Sequence, residues 1–160
     1  MKNGYATFSA MITTSTVAMF AITYLNSWEW SHIFWSETRL YMVLYMGAVM
    51  AFIMLIYMRT MYTDRRMNLA ILGGSAVVFG LSLWLLRSQA TIEDEAWMKA
   101  MIPHHSIAIL TSTRAKISHP RVRRLADNII KTQEREIAEM KALIADLNGG
   151  RKATPEIDGR

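Results

Sequence analysis

The chain has 160 residues, 52% of them hydrophobic, a formal net charge of +5 and no cysteine. Lacking cysteine, it forms neither disulfides nor thiolate sites, so His, Met and carboxylates are its only side chains able to hold a metal. No basic run and no interleaving of aromatic with basic residues marks a nucleic-acid surface, which sets that class of partner aside.

The charges are unevenly spread. None lies between Lys2 and Glu29, between Arg39 and Arg59, or between Arg66 and Arg87. Each gap accommodates a bilayer-spanning helix of about 20 residues. The pattern predicts spans over Tyr5–Leu25, Leu40–Met58 and Asn68–Leu86 within a transmembrane domain of residues 1–88. The first span reads as a retained anchor rather than a signal peptide, because the apolar stretch is long and no small-x-small cleavage site follows it.

The loop after the second span carries Arg59, Arg65 and Arg66 against Asp64, whereas the loop after the first carries Glu29, Glu37 and only Arg39. By the positive-inside rule the second loop and the amino terminus are cytoplasmic. The first loop and everything after Arg87 then lie outside, which in a bacterium means an inner-membrane protein with a periplasmic carboxy-terminal domain. Trp28, Trp30, Trp35 and Trp84 fit an interfacial aromatic belt.

In the second span Met42, Met46, Met50, Met54 and Met58 recur every four residues. A helix advances about 400° in four residues, so the sulfurs drift round the axis instead of forming one file. They read first as adaptable packing, with a metal-conducting ladder as the lesser alternative, since a conduit would need ligands converging from a second helix. Ser9, Thr13 and Thr16 in the first span, and Ala76 and Gly80 in the third, read as helix contacts.

Beyond Arg87 the composition is that of a soluble segment, predicted as a helical hairpin over residues 89–150 with a flexible tail over 151–160. Thr91 followed by Asp94 fits a helix start near Ile92. That helix is expected to run to about Ile117, and Pro120 to open a second helix ending before Asn148-Gly149-Gly150. The second helix carries a stripe of Val122, Leu125, Ile129, Ile137, Met140, Ile144 and Leu147. The first presents Met98, Met101, His105, Ala108, Ser112 and Ala115. Two helices cannot bury both stripes alone, so the hairpin is expected to pair with a second copy into a four-helix bundle.

The block Met98-Lys99-Ala100-Met101-Ile102-Pro103-His104-His105 concentrates soft donors. Met98, Met101 and His105 share one helical face, and Met101 also lies three residues from His104. Met140 on the second helix, one heptad after Gln133, is placed to close a site across the hairpin. Thioethers and imidazoles are the donors Cu(I) accepts, with silver as its mimic. The same residues also read as core methionines with solvated or hydrogen-bonded histidines, in which case the hairpin is an oligomerisation or partner-docking scaffold. Glu29 and His32 have the Glu-x-x-His spacing of di-iron carboxylate bundles. That chemistry needs two such motifs on facing helices, and no enzymatic activity is expected.

From Asp94 to Ile144 the chain resembles the bacterial family known as domain of unknown function 305. The resemblance rests on Asp94, Trp97, Met101, Ile102, Pro103, His104, His105, Ala108 and Ile109, then on Pro120, Arg121, Ala126, Ile130, Gln133, Glu136, Ile137 and Met140. Thr111, Leu143 and His119 depart from it, standing where that family usually has a Met, a Trp and an Asp. The resemblance implies a ferritin-like helical bundle, exported or membrane-tethered, associated with copper binding and copper resistance. Together these readings predict an all-α, membrane-anchored protein that captures or buffers Cu(I), its metal held by His104, His105 and Met101 with Met98 and Met140 in support.

Overall fold

A computed structural model describes residues 2–149, so the tail expected to be flexible lies outside the described residues. Among them are five α-helices and no strand: α1 Lys2–Ile22, α2 Glu37–Tyr57, α3 Arg65–Ser88, α4 Asp94–Arg114 and α5 Pro120–Leu147. A single 3₁₀ turn, Trp30–His32, lies between α1 and α2. Helices α1 to α3 are each long and apolar enough to cross a membrane. The chain divides into two compact units. One holds the residues up to Leu25 with Glu37–Ile92; the other joins Asn26–Ser36 to the segment from Glu93 onward. The hairpin unit therefore begins near Glu93, a few residues after the expected boundary, and takes the first loop with it.

In the membrane-type unit, Asp64 starts α3 by accepting hydrogen bonds from the amides of Arg66 and Met67 at 2.9 and 3.2 Å. Gln89 ends it in the left-handed region, with φ 53°. Tyr5, Phe8, Ala51, Leu55 and Tyr62 form the core here, with Met54 and Met58 packed against it. The methionine run of α2 thus serves packing at its carboxy-terminal end. At the same end of the unit, Tyr5 donates to Asn68 Oδ1 at 2.8 Å and accepts from the Asp64 amide at 3.1 Å. Arg39 is buried, donates to the Thr23 carbonyl and lies 4.5 Å from the centre of the Tyr24 ring.

The expected small-residue contacts are only partly those observed. Thr16 meets Gly47 closely, but Ala76 is exposed and a Cβ on Gly80 would meet nothing. Ser75 and Ser82 are the buried residues of α3 instead.

Helix α4 is shorter than expected at both ends, whereas α5 opens at Pro120 and ends at Leu147 as expected. Thr91 does not cap the helix, because its hydroxyl is engaged by the Tyr41 hydroxyl at 2.7 Å. Glu93 takes the N-cap position, and Asp94 and Glu95 set negative charge against the positive helix end. The chain leaves the helix at Ala115, which is extended, and His119 is extended as well before Pro120. A proline disfavours helical geometry in the residue before it and is preorganised as the first residue of a new helix. Helix α4 continues through the buried Pro103, although that ring leaves the Lys99 carbonyl without its usual amide.

The inward face of α4 is also rotated from the expected seam. Met98, Ile102, Ser106 and Ile109 are buried, while Met101 and His105 are half-buried on its flank. In α5, Ala126, Ile137 and Met140 are buried, whereas Val122, Leu125 and Leu147 of the expected stripe are exposed. The rotation has a cause in the first loop: Trp28 and Phe34 pack against the cluster of Met98, Ile102, Ile109, Ile137 and Met140, so part of the cover comes from within the chain.

Candidate functional site

Of the five sequence-predicted site residues, the hairpin places three methionines in or against one core cluster and His105 one helical turn from Met101. Met98 and Met140 are buried members of its core cluster, and Met101 packs against that cluster. His105 follows Met101 by one helical turn, and its Nδ1 donates to the Met101 carbonyl at 2.9 Å. Across the hairpin its Nε2 lies 2.8 Å from Oε2 of Glu136, which precedes Met140 by one turn of α5. Two pairs at helical spacing, Met101 with His105 and Glu136 with Met140, thus come from facing helices.

His104 is placed differently. It is exposed, with its ring centre 6.0 Å from that of His105 and the rings inclined at 63°. Adjacent residues on a helix are about 100° apart, so the pair straddles the edge of the hairpin.

The hydrogen bonds constrain the chemistry of His105. A carbonyl only accepts, so Nδ1 is the donor to Met101, and Nε2 lies 2.8 Å from a carboxylate oxygen of Glu136. Both ring nitrogens are therefore occupied, and an ion bound to His105 displaces one of these two contacts. Among the described residues no three His, Asp or Glu side chains come together as a metal site. An ion held here relies on the thioethers, and the donor set suits a soft monovalent ion.

Sequence reasoning missed the second polar centre of this unit. The Ser106 hydroxyl, 0% exposed, accepts from the Trp28 amide at 2.7 Å and lies 3.0 Å from His32 Nδ1. His32 is itself buried, with Nε2 3.7 Å from Glu29 Oε2. Lys141 of α5 reaches the same place and donates to Ser31 Oγ at 3.1 Å. Burial foremost, and then the nearby Lys141 charge, lower the His32 pKa below the ordinary histidine value, against an opposing pull from Glu29. The available signal was Ser106, a hydroxyl set between Ile102 and Ile109 on an apolar face and so in need of a partner.

The described residues define a class: an all-helical protein with three apolar helices of membrane-spanning length and a separate hairpin unit. Residues 84–155 match the family described as Domain of unknown function (DUF305). An uncharacterized protein of Acanthamoeba polyphaga mimivirus is 31% identical over 144 residues, covering 85% of this chain and 92% of that protein. The chain belongs to the DUF305 family. The viral likeness extends outside residues 84–155 into the apolar helices, since that stretch is less than half of the chain. No solved structure matches.

Proposed function

We propose that this is a membrane-anchored metal-binding protein that captures or buffers Cu(I) on the extracytoplasmic side, without enzymatic activity. The observation that carries the reading is the gathering of Met98, Met101 and Met140 beside His105 across one hairpin. Thioethers remain available as donors at mildly acidic pH because they need no deprotonation, and imidazole adds a stronger ligand. Met101 and His105 are the principal ligands, Met98 and Met140 the supporting sulfurs. The exposed His104 receives the ion at the edge.

Membrane anchoring by α1 to α3 is supported by their length and apolar composition and by a parity argument. With three spans, the α1–α2 loop and the hairpin fall on one side of the bilayer, and the Trp28–Ser106 hydrogen bond requires them to share a side. The amino-terminal Tyr5 and the Arg-flanked α2–α3 loop fall on the other, in accord with the Tyr5–Asp64 and Tyr5–Asn68 contacts. The positive-inside rule makes that second side the cytoplasm. In a bacterial cell the protein would lie in the inner membrane with the hairpin in the periplasm.

The test is the copper content of the purified full-length chain loaded with Cu(I) under reducing conditions. The wild type is expected to retain Cu(I), and the His104→Ala, His105→Ala double variant to lose it. Met101→Leu, which keeps apolar volume, should weaken binding by about tenfold or more. Equal copper in wild type and double variant would remove the proposal.

Two observations favour a second reading, a scaffold whose hairpin docks to another copy: both ring nitrogens of His105 are already satisfied, and Leu125 and Leu147 are each 60% exposed. On that reading the double variant loses its crosslinked oligomer with or without copper. On the metal reading, copper raises the thermal stability of the wild type alone.

A further inference from the structure

We propose that residues 28–36 form a strap over the hairpin core, latched by neutral His32 and released when His32 is protonated. The segment is long enough to have stayed free as a loop between two apolar helices, yet its residues are built into the hairpin unit. Trp28 and Phe34 cover the cluster containing Met98 and Met140, and the Arg114 guanidinium lies 5.8 Å from the centre of the Trp28 ring. The latch is a chain of hydrogen bonds through one hydroxyl. Ser106 Oγ accepts from the Trp28 amide and lies 3.0 Å from His32 Nδ1, and in the proposed latch it donates its one proton to Nδ1 of a neutral imidazole protonated on Nε2.

Protonating His32 turns Nδ1 into a donor aimed at the same oxygen and places a charge in a site 6% exposed. The ionisable groups around it act in opposite senses. Glu29, on the strap, attracts the imidazolium, while Lys141 on α5 repels it; α4 contributes the uncharged Ser106 at this point. Burial and Lys141 together outweigh Glu29, so the closed strap disfavours the proton more than an open one does. The latch therefore has its full strength above the ordinary histidine value of 6.5 and loses it as the pH falls below that value. Opening uncovers the face of the hairpin on which two of the candidate thioethers lie.

The inference stands apart from the copper reading, because its test uses no metal. Hydrogen exchange of the Trp28 amide is followed in the full-length protein in detergent, at about pH 7.5 and about pH 5, after correction for intrinsic exchange. Protection is expected to fall roughly tenfold or more on acidification. His32→Asn, whose carbonyl accepts where Nδ1 did, should hold its protection at both values, and Ser106→Ala should lose it at both. Lys141→Gln, which lets the closed site tolerate the proton, should weaken the acid response and move opening to lower pH, and Glu29→Gln should strengthen it and move opening to higher pH. These two positions, Glu29 exposed and Lys141 half-buried, keep the test informative even if the His32 variant folds poorly. Unchanged protection in the wild type, or an acid response in His32→Asn equal to it, would overturn the strap.

Discussion

Ile102 and Ser106 stand four residues apart on α4, and both are 0% exposed, yet they do opposite work. Ile102 contributes apolar area, while Ser106 is tolerated inside because its hydroxyl is bonded to two groups of the strap. Ile102→Ala should destabilise the hairpin by about 2–5 kcal/mol, the usual cost of an unfilled core site. Chemical denaturation followed by helical circular dichroism checks this, and a loss under about 1 kcal/mol would mean that the core closes over the gap. The Met-Ile-Pro-His-His block was readable at this scale as a set of donors. Which of its members face inward was not: counting along the helix put His105 on the seam, whereas the seam runs through Ile102 and Ser106 and leaves His105 on the flank. Ile102 and Met101 are both apolar, and only the packing separates them, burying the first and leaving the second half-buried.

At the scale of elements, α1 and α2 approach closely where Gly47 faces Thr16. A Cβ at Gly47 would lie 2.5 Å from Thr16 Oγ1, so the contact exists because residue 47 has no side chain. Gly47→Ala is expected to cost about 1–3 kcal/mol, as overpacking does, and to lower the melting temperature in detergent. Adding Thr16→Ala removes the offending hydroxyl and should recover most of that loss. If the double variant melts no higher than Gly47→Ala alone, the clash is not the cause. Helix ends divide in the same way between local and distant causes. Pro120 as the start of α5 follows from a fixed φ and a missing amide, but Thr91 is diverted from capping by Tyr41, fifty residues away, which no local pattern reveals.

For the whole molecule, the proposed three-span arrangement predicts opposite accessibility for two exposed turns. The chain has no native cysteine, so single substitutions report cleanly. In intact cells a membrane-impermeant maleimide should label Ser118→Cys, and should reach Thr60→Cys only after permeabilisation. Equal labelling of both in intact cells would rule out this topology. The sequence by itself determined the helical class, the three apolar helices of spanning length, the existence of the hairpin and its family. Each of these rests on composition, charge spacing or a short motif, quantities that reside in neighbouring residues. Tertiary structure decided that Asn26–Ser36 belongs to the hairpin and that His32 is buried against Ser106. It also set His105 between the Met101 carbonyl and Glu136. Burial and hydrogen bonding between groups tens of residues apart depend on which surfaces meet, and a linear pattern carries no record of that meeting.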